Sequence, residues 1–391
     1  MKYGGRHPLF DLSRVRTYPL KARKNKVEVG NFTDVAALRR SEIQCAAGPW
    51  FRNGRRGPGT DQSAGLEELA RYIVACRRAG RPVAVLSGAH CIKNGQIAII
   101  NDLIERGLVT SFSTNGAGAI HAFELALTGA SSESVRDSLP TGDFGMAFET
   151  GAYLNYAVRV GHELGLGLGE SLGRLFCDAD FRRRVLDRAL ENCGLRIADC
   201  GFGAAPSPSG NPQSAIRNPQ YLRPYDGFPY VDSCVFAVAH RKGIPVCVHA
   251  TQGTDIIDQH PSYDGEAKGA TSGADFLIFT QEMCRFTQGG VVLNIGTAIM
   301  GPEVVLKAVS MAANVGCRPD GLWVADFDVR PFTFDDDVRD ESQAYYYLRD
   351  QKSLATRIPK VFGGVGFYFE GLHEKTLPSL YQFIMKELDA S

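Results

Sequence analysis

Small and polar residues follow several apolar runs of this sequence, at places where parallel strands of a sheet would present them to a ligand. Those after the runs PVAVL, VTSFS, GGVVLNI and GLWVA are Ser87, Gly88, Thr114, Asn115, Gly116, Gly296, Thr297 and Asp326. Glycine in such a turn lets backbone N–H groups approach a phosphate, and the helix that follows presents its positive end to the same anion. A dinucleotide that crosses several loops would explain the pattern. Ordinary tight turns are the alternative, because NGAGAI is not a G-x-G-x-x-G motif.

Histidines also lie near the ends of predicted strands. His90, His121, His249 and His260 each stand at or shortly after such an end, where an imidazole can serve as acid, base or orienting donor. Each one alone could equally be an ordinary polar loop residue.

The loop 249–265 (HATQGTDIIDQHPSYDG) is the densest concentration of titratable and amide groups in the chain. Gln252, Asp255 and Asp258 are its candidate substrate-binding residues. The carboxylates and imidazoles of this loop lack the spacing that metal ions favour, so we predict no metal site. A serine hydrolase is excluded as well, because the chain has no G-x-S-x-G motif.

Lys352 is the candidate nucleophile. It lies between Arg349 and Arg357, shortly after a run of tyrosines at 345–347. Apolar or cationic neighbours would lower the pKa of its amine, as imine formation requires. An exposed lysine in a polar loop is the alternative.

The order of elements around these residues predicts the fold. Apolar residues at helical spacing between Leu66 and Val74 predict a helix. The further predictions are strands at 82–88 and 109–114, helices at 95–106 and 120–129, a glycine-rich turn at 115–119, later strands at 243–250, 275–280, 289–296, 321–328 and 366–371, and helices at 302–314 and 374–388. This alternation is typical of an α/β protein with a Rossmann-like, doubly wound and mainly parallel sheet.

Composition sets the broad class. The 391 residues contain 43 Lys and Arg against 43 Asp and Glu, so the balanced charge argues against a nucleic-acid partner. No stretch is apolar enough to span a membrane, and the ten cysteines form no C-x-x-C motif, so we expect a soluble, cytoplasmic protein with reduced thiols. Residues 1–60, rich in Arg, Lys and Gly, are expected to form an N-terminal arm or irregular lead-in, and residues 61–391 a single domain.

Several segments resemble the deoxyhypusine synthase family in their order. They are residues 87–127, 243–260, 289–308 and 319–329. In that family a Ser-Asn turn, a T-T-A-G-G turn, an I-P-V-F strand with its loop, a glycine-rich turn and an A-x-Y-x-I-N-T strand follow one another in this way. The resemblance extends over residues 65–385. It implies a Rossmann-like subunit of a homotetramer with NAD bound near a subunit interface.

The resemblance also implies an activity. It is an NAD-dependent transferase that oxidises a polyamine such as spermidine or putrescine, holds the aminoalkyl group as an imine on a lysine, and passes it to an acceptor amine such as a protein lysine. Lys352, which stands seven residues before Pro359, takes the place of the family's imine-forming lysine, and His121 or Glu124 takes that of the acidic residues that hold the polyamine. The resemblance places NAD contacts at Ser87, Thr114, Asn115, Gly116, Gly296, Thr297, Asp326 and Glu370.

The chain departs from the family where the polyamine would bind. Gln252 replaces an acidic residue, and Gly301, Pro302 and Glu303 stand where the family has a catalytic histidine. A polyamine needs several carboxylates to offset its desolvation. Two alternatives therefore stand beside the transferase: an NAD-binding enzyme of the same fold that acts on a small non-polyamine substrate, and a non-catalytic nucleotide-binding protein.

Overall fold

The computed structural model describes residues 4–197, 221–332 and 349–390, with backbone only for 193–197. The chain forms two compact units. One comprises Met1–Gly30, Ala119–Arg241 and Val248–Asp275, and we call it the helical unit. The other comprises Asn31–Gly118, Lys242–Cys247 and Phe276–Ser391, and we call it the sheet unit. The sequence-based division at residue 60 differs from this division, since residues on both sides of it belong to the sheet unit.

The described strands and helices follow in chain order. The strands are β1 Val27–Glu28, β2 Trp50–Arg52, β3 Arg55–Arg56, β4 Val83–Ser87, β5 Ser111–Thr114, β6 Ala130–Ser131, β7 Val246–Val248, β8 Gly290–Ile295, β9 Leu322–Asp328 and β10 Val365–Glu370. The helices are α1 Val35–Arg40, α2 Ser63–Arg78, α3 Ala89–Lys93, α4 Ile97–Glu105, α5 Gly116–Thr128, α6 Val135–Ser138, α7 Phe148–Glu163, α8 Leu168–Cys177, α9 Ala179–Ile197, α10 Val235–Lys242, α11 Gly265–Met283, α12 Met300–Asn314, α13 Arg349–Lys352, α14 Ile358–Val361 and α15 His373–Asp389. A π-helix, Ser353–Arg357, joins α13 to α14. None of the helices in the described ranges is both long and apolar enough to cross a membrane.

An eight-stranded sheet has the order β3-β2-β10-β9-β8-β4-β5-β7. β4 pairs in parallel with β5 and β8, β8 with β9, and β9 with β10, whereas β2 and β3 add an antiparallel edge. Taken in chain order from β4, the strands other than this edge lie as 3-2-1-4-5-6, the order of the Rossmann fold. The predicted doubly wound α/β fold is confirmed. Its strand order reverses between β4 and β8, which is where such folds bind ligands.

Helices α11 and α12 pack against one face of the sheet. Leu86, Val292 and Val324 on this face join a buried cluster with Val305 of α12 and Met283 of α11. Side chains alternate between the two faces of a strand, so the apolar residues at alternate positions build this layer. On β8 and β9 the same face ends in polar residues at the carboxyl edge.

Two sequence predictions about elements are wrong. The run 275–280 is not a strand, because it lies within α11, where Phe279 and Met283 face the core at helical spacing and Leu277 is exposed. A short apolar run alone does not distinguish the two structures. The turn predicted at 115–119 is the first turn of α5. The Asn115 side chain accepts a hydrogen bond from the Gly118 N–H at 2.9 Å, which lets the helix begin at Gly116.

Residues before 60 also join the sheet through an aromatic contact. Trp50 on β2 is buried and stacks on Phe367 and Phe369 of β10, with ring centroids 6.3 and 6.4 Å apart. These stacked rings bury a large apolar area, which explains why β2 joins the sheet at its antiparallel edge. The polar composition of residues 1–60 did not predict these strands.

Candidate functional site

Two glycine-containing loops meet at the point where the strand order reverses. Gly88 follows β4, and Gly296 follows β8. The Gly88 N–H donates to the Ile295 carbonyl at 3.0 Å, and a Cβ atom on Gly88 would lie 2.4 Å from the Gly296 carbonyl oxygen. Gly296 has φ +59, and a Cβ there would lie 2.3 Å from the His373 ring. Only glycine allows the two loops to approach this closely. The structure thus brings the predicted residues Gly88 and Gly296 together.

Helices begin shortly after β5 and β8 at this edge. α5 begins at Gly116 directly after β5, and a Cβ on Gly118 would lie 2.1 Å from Thr114 Oγ1, so glycine allows the helix to start close to the strand. Beyond β8, the Gly301 N–H donates to Thr297 Oγ1 at 2.8 Å near the start of α12. The first N–H groups of a helix have no partner within it and favour an anion. Thr114, Asn115, Gly116 and Thr297 thus all lie at the predicted edge of the sheet.

A row of buried polar side chains crosses three neighbouring strands near the same edge. Asn294, Asp326 and Tyr368 are in register on β8, β9 and β10. Asn294 Nδ2 donates to Asp326 Oδ1 at 2.7 Å, and the Tyr368 hydroxyl donates to the Arg330 carbonyl at 2.7 Å. Burial, followed by the negative charges of Asp326 and Asp328, raises the pKa of Tyr368, so its hydroxyl stays protonated. Of these three residues, the sequence analysis predicted only Asp326 as a site residue.

The row is extended by the helix that carries Lys352. Gln351 Nε2 donates to the Tyr368 hydroxyl at 2.8 Å. Lys352 is buried at the end of α13, with 3% of its surface exposed, so the alternative of an exposed loop lysine is wrong. In the deoxyhypusine synthase family the proline seven residues after the lysine opens the last strand. Pro359 instead lies in α14, and β10 begins only at Val365, so the spacing of Lys352 to Pro359 does not match that family. The tyrosines at 345–347 lie outside the described residues.

Glu370 stands at the end of β10, on the same edge. Its carboxylate accepts the Phe332 N–H at 3.3 Å, and its backbone carbonyl accepts Gln62 Nε2 at 2.7 Å. The neighbouring strand β9 ends in Asp328, which pairs with Arg330 at 2.7 Å. Glu370 therefore lies at the strand edge where NAD contacts were predicted.

His373 is a candidate that the sequence predictions missed. It is the first residue of α15, is 6% exposed, and its Nε2 lies 3.3 Å from the Phe327 carbonyl. Burial lowers the pKa of His373. The pKa of His90 is lowered by burial and by the neighbouring Lys93 and His373. His373 is therefore a neutral imidazole beside Gly296. Its position shortly after the apolar strand β10 was the signal that could have identified it.

The predicted catalytic residues His121 and Glu124 lie in the helical unit. Glu124 is buried and accepts hydrogen bonds from Arg23 at 2.9 and 2.5 Å, from Ser131 at 2.7 Å and from Thr150 at 2.8 Å. Burial would raise the pKa of this carboxyl, but Arg23 and the hydrogen bonds lower it. His121 Nδ1 lies 2.6 Å from the Ser131 hydroxyl. These contacts give Glu124 a structural partner.

The predicted substrate carboxylates also have a partner of their own. Lys268 is 2% exposed and its Nζ lies 2.8 Å from Asp255 and 2.6 Å from Asp258. Burial raises the pKa of Asp255, and Lys268 offsets this only in part. Gln252 accepts a hydrogen bond from the Tyr263 hydroxyl. The three predicted substrate residues are thus close together in the helical unit, with the Asp255 and Asp258 carboxylates directed at a lysine of the same chain.

His260 should make stability depend on pH. It is 2% exposed, its Nδ1 accepts the Ser262 N–H at 3.1 Å, and burial lowers its pKa from 6.5 to about 3. Between these values only the unfolded chain binds this proton, so stability falls as the pH drops below 6.5, by about 1.4 kcal/mol per pH unit. We expect His260→Asn, whose Oδ1 can accept the same N–H, to reduce the slope by that amount. Urea unfolding at several pH values measures it, and an unchanged slope would contradict the assignment.

No family model and no curated protein matches the chain. The ternary complex of AgrE with ornithine and NAD+ is similar with 13% identity and a TM-score of 0.40, over 84% of this chain and 33% of that chain. ArgZ, an arginine dihydrolase from the ornithine-ammonia cycle in cyanobacteria, is similar with 13% identity and a TM-score of 0.39, over 86% and 34%. A conserved LOR/SDH protein from Methanococcus maripaludis S2 has 10% identity and a TM-score of 0.37, over 84% and 70%. The chain spans about a third of the AgrE and ArgZ chains, and similarity this weak carries no conclusion about activity.

The expected membership of the deoxyhypusine synthase family is wrong. No family model matches, and the solved structures with similarity to this chain include those of AgrE, ArgZ and a LOR/SDH protein. The motif order that carried the resemblance consists mainly of small residues after buried strands, which doubly wound folds share in general. The polyamine transferase activity and the homotetramer lose their support with the family.

Proposed function

We propose that this protein is an NAD-binding enzyme that acts on a small, non-polyamine substrate. The observation that carries the proposal is the close approach of Gly88 and Gly296, where a Cβ on Gly88 would lie 2.4 Å from a backbone oxygen. This approach occurs at the reversal of a 3-2-1-4-5-6 strand order, the place where such sheets bind dinucleotides. The glycines keep the crevice clear of side chains at the point where a pyrophosphate needs backbone contact.

The residues at this edge fit a dinucleotide. Gly88 keeps the turn after β4 free of a side chain, although its own N–H donates to the Ile295 carbonyl. Gly116 begins α5 directly after β5, the strand beside β4, and the first N–H groups of such a helix favour phosphate oxygens. Rossmann folds often place an acidic side chain after the second strand to bind a ribose hydroxyl. Here that place is taken by Asn115, whose side chain caps α5. These residues support a phosphate-binding turn, and in this proposal an amide takes the place of the ribose carboxylate.

Groups for the substrate lie at the same edge. When bound, NAD accepts or supplies a hydride. His373 is a neutral imidazole that can hold or release a proton, and Asp326 is held in one orientation by Asn294 Nδ2. Within the described chain, the buried Asn294 Oδ1 and Gln351 Oε1 accept no hydrogen bond. Because unpaired buried oxygens are costly, we propose that they orient donors of the substrate or of ordered water.

A titration of NAD and NADH into the protein tests the proposal. Calorimetry is expected to show saturable binding of both, and the fluorescence of NADH is expected to change on binding. A panel of amino acids and small hydroxy acids, followed by NADH absorbance, then searches for the substrate. Absence of NAD and NADH binding by the folded protein would overturn the proposal.

Asn115→Asp should change the choice between NAD and NADP. Aspartate caps a helix as well as asparagine, so α5 should remain intact. A carboxylate there would repel the 2′-phosphate of NADP, and we expect NADP affinity to fall about tenfold while NAD affinity is retained. Competition titrations with NADH measure both affinities. Asn53→Asp is the matched control, because Asn53 Oδ1 likewise accepts a backbone N–H, that of Gly366 at 2.8 Å. Equal loss of NAD and NADP binding would contradict this placement of the ribose.

A further inference from the structure

A cavity of about 310 Å³ opens in the sheet unit at the amino ends of β5 and β7. Its lining includes Val109 and Thr110, which precede β5, and Gly243 to Pro245, which precede β7. The carboxyl ends of the parallel strands, where we place NAD, are at the opposite edge. The volume is in the range of small-molecule sites. This cavity is therefore separate from the proposed dinucleotide site.

The mouth of the cavity is rich in cationic side chains. Arg77, Lys242 and Arg285 line it together with a single carboxylate, that of Glu105. Lys242 lies 3.0 Å from Glu105, and Arg285 lies 2.7 Å from Glu282, which is outside the lining. Three cations thus face two carboxylates, and Arg77 is the cation that neither of these carboxylates pairs.

Two of the cations are close enough to oppose each other. Burial lowers the pKa of Arg77, and the charge of Arg285 lowers it further. Like charges that share a site are relieved by an anion between them. The lining also contains the apolar side chains of Ile104, Val109 and Ile244. An anion with an apolar body would contact both kinds of surface.

Structural roles account for only part of this charge. Arg77 Nε donates to the Gly107 carbonyl at 2.9 Å and its Nη1 to the Arg81 carbonyl at 2.6 Å, which satisfies carbonyls near the ends of α2 and α4. Lys242 ends α10, where a cation offsets the helix dipole. Arg285 lies beyond the end of α11 and forms a salt bridge with Glu282. Of the three cations at the cavity, Arg77 is therefore the one that neither Glu105 nor Glu282 pairs.

We propose that this cavity binds a small organic anion, with a phosphate or carboxylate group held between Arg77 and Arg285 beside Lys242, and an apolar body against Ile104 and Ile244. The site goes beyond the proposed function and does not depend on it. The guanidinium of Arg285 would make paired hydrogen bonds to the anion oxygens. Binding would weaken as the salt concentration rises, because these groups are partly exposed.

Phenyl phosphate and benzoate are the test ligands, and benzamide is the uncharged analogue of benzoate. Calorimetric titrations of the full chain are expected to show binding of both anions and none of benzamide. The two anions distinguish a phosphate site from a carboxylate site. Arg285→Gln is expected to lower the affinity for the preferred anion about tenfold.

Matched controls separate a specific site from general charge. Arg183→Gln removes an exposed arginine in the helical unit, 3.8 Å from Asp180, and should leave the affinity unchanged. Gly88→Ala should also leave it unchanged, which distinguishes this cavity from the NAD site. Binding of benzamide equal to that of benzoate, equal losses in Arg285→Gln and Arg183→Gln, or no anion binding at all would each overturn the proposal.

Discussion

Replacement of Gly88 by alanine is expected to lower the affinity for NAD more than about tenfold while the protein remains folded. The added Cβ would lie 2.4 Å from the Gly296 carbonyl oxygen, so the loops after β4 and β8 must move apart. Overpacking of this kind typically costs about 1–3 kcal/mol, which is less than the stability of a typical domain. The same movement would weaken the hydrogen bond from the Gly88 N–H to the Ile295 carbonyl and change the shape of the crevice in which we place NAD.

Gly273→Ala is the matched control for this prediction. Gly273 lies within α11. Apart from its chain neighbours and the backbone of its own helix, no described atom lies within 4 Å of a Cβ placed there. Alanine is the better helix former by about 1 kcal/mol, so this variant should be at least as stable as the wild type and bind NAD equally well. Circular dichroism and urea unfolding establish folding, and NADH titration gives the affinity. A folded Gly88→Ala variant with wild-type affinity would contradict the placement of the cofactor.

Arg23→Met is expected to destabilise the protein by about 3–5 kcal/mol, the usual cost of leaving a buried charge without its partner. The Arg23 and Glu124 side chains are 4% and 1% exposed and lie 2.5 Å apart. Without the guanidinium, the hydroxyl donors of Ser131 and Thr150 would remain for the Glu124 carboxylate, and the buried Glu133, 3.6 Å from Arg23, would lose the same cation. Urea unfolding at neutral pH measures the loss. The stability from the lowered pKa of Glu124 is present at neutral pH and is lost as the pH falls through its folded value.

Two further variants give this result its meaning. In Arg23→Met with Glu124→Gln the charge of Glu124 is absent and that of Glu133, 3.6 Å from Arg23 and 5% exposed, remains, so part of the lost stability should return. Arg184→Met breaks an exposed pair with Glu163, whose side chains are 40% and 43% exposed, and should cost no more than about 1 kcal/mol. If Arg23→Met cost no more than Arg184→Met, the ion pair would not be the main role of Glu124.

Much of the sheet could be predicted from local sequence. The runs that form β4, β8, β9 and β10 are short, apolar and bounded by turn residues, which is the pattern of buried parallel strands. Their order in the chain, with helices between them, then indicated the doubly wound fold. The segment 275–280 has the same local composition, but its residues alternate between buried and exposed at helical spacing, which becomes visible only over the whole length of α11.

The candidate site was predictable only where it depends on position along a strand. Gly88, Gly296 and Asp326 follow apolar runs, and strand ends in a parallel sheet meet at one edge. Partners that come from distant parts of the chain left no local signal. Arg23 reaches Glu124 across about a hundred residues, since the hydrogen-bonded pair is separated by 101 positions, and spacing alone could not distinguish a catalytic carboxylate from one half of a buried ion pair.

A crystal structure of the protein with NAD tests the central claim most directly, because it locates the cofactor rather than its effect. We expect the pyrophosphate to lie against backbone N–H groups at the carboxyl edge of the sheet, between the loops that carry Gly88 and Gly296, with His373 beside it. NAD bound elsewhere, such as in the cavity at Arg285, or a protein that stays free of NAD at saturating concentration, would contradict the account.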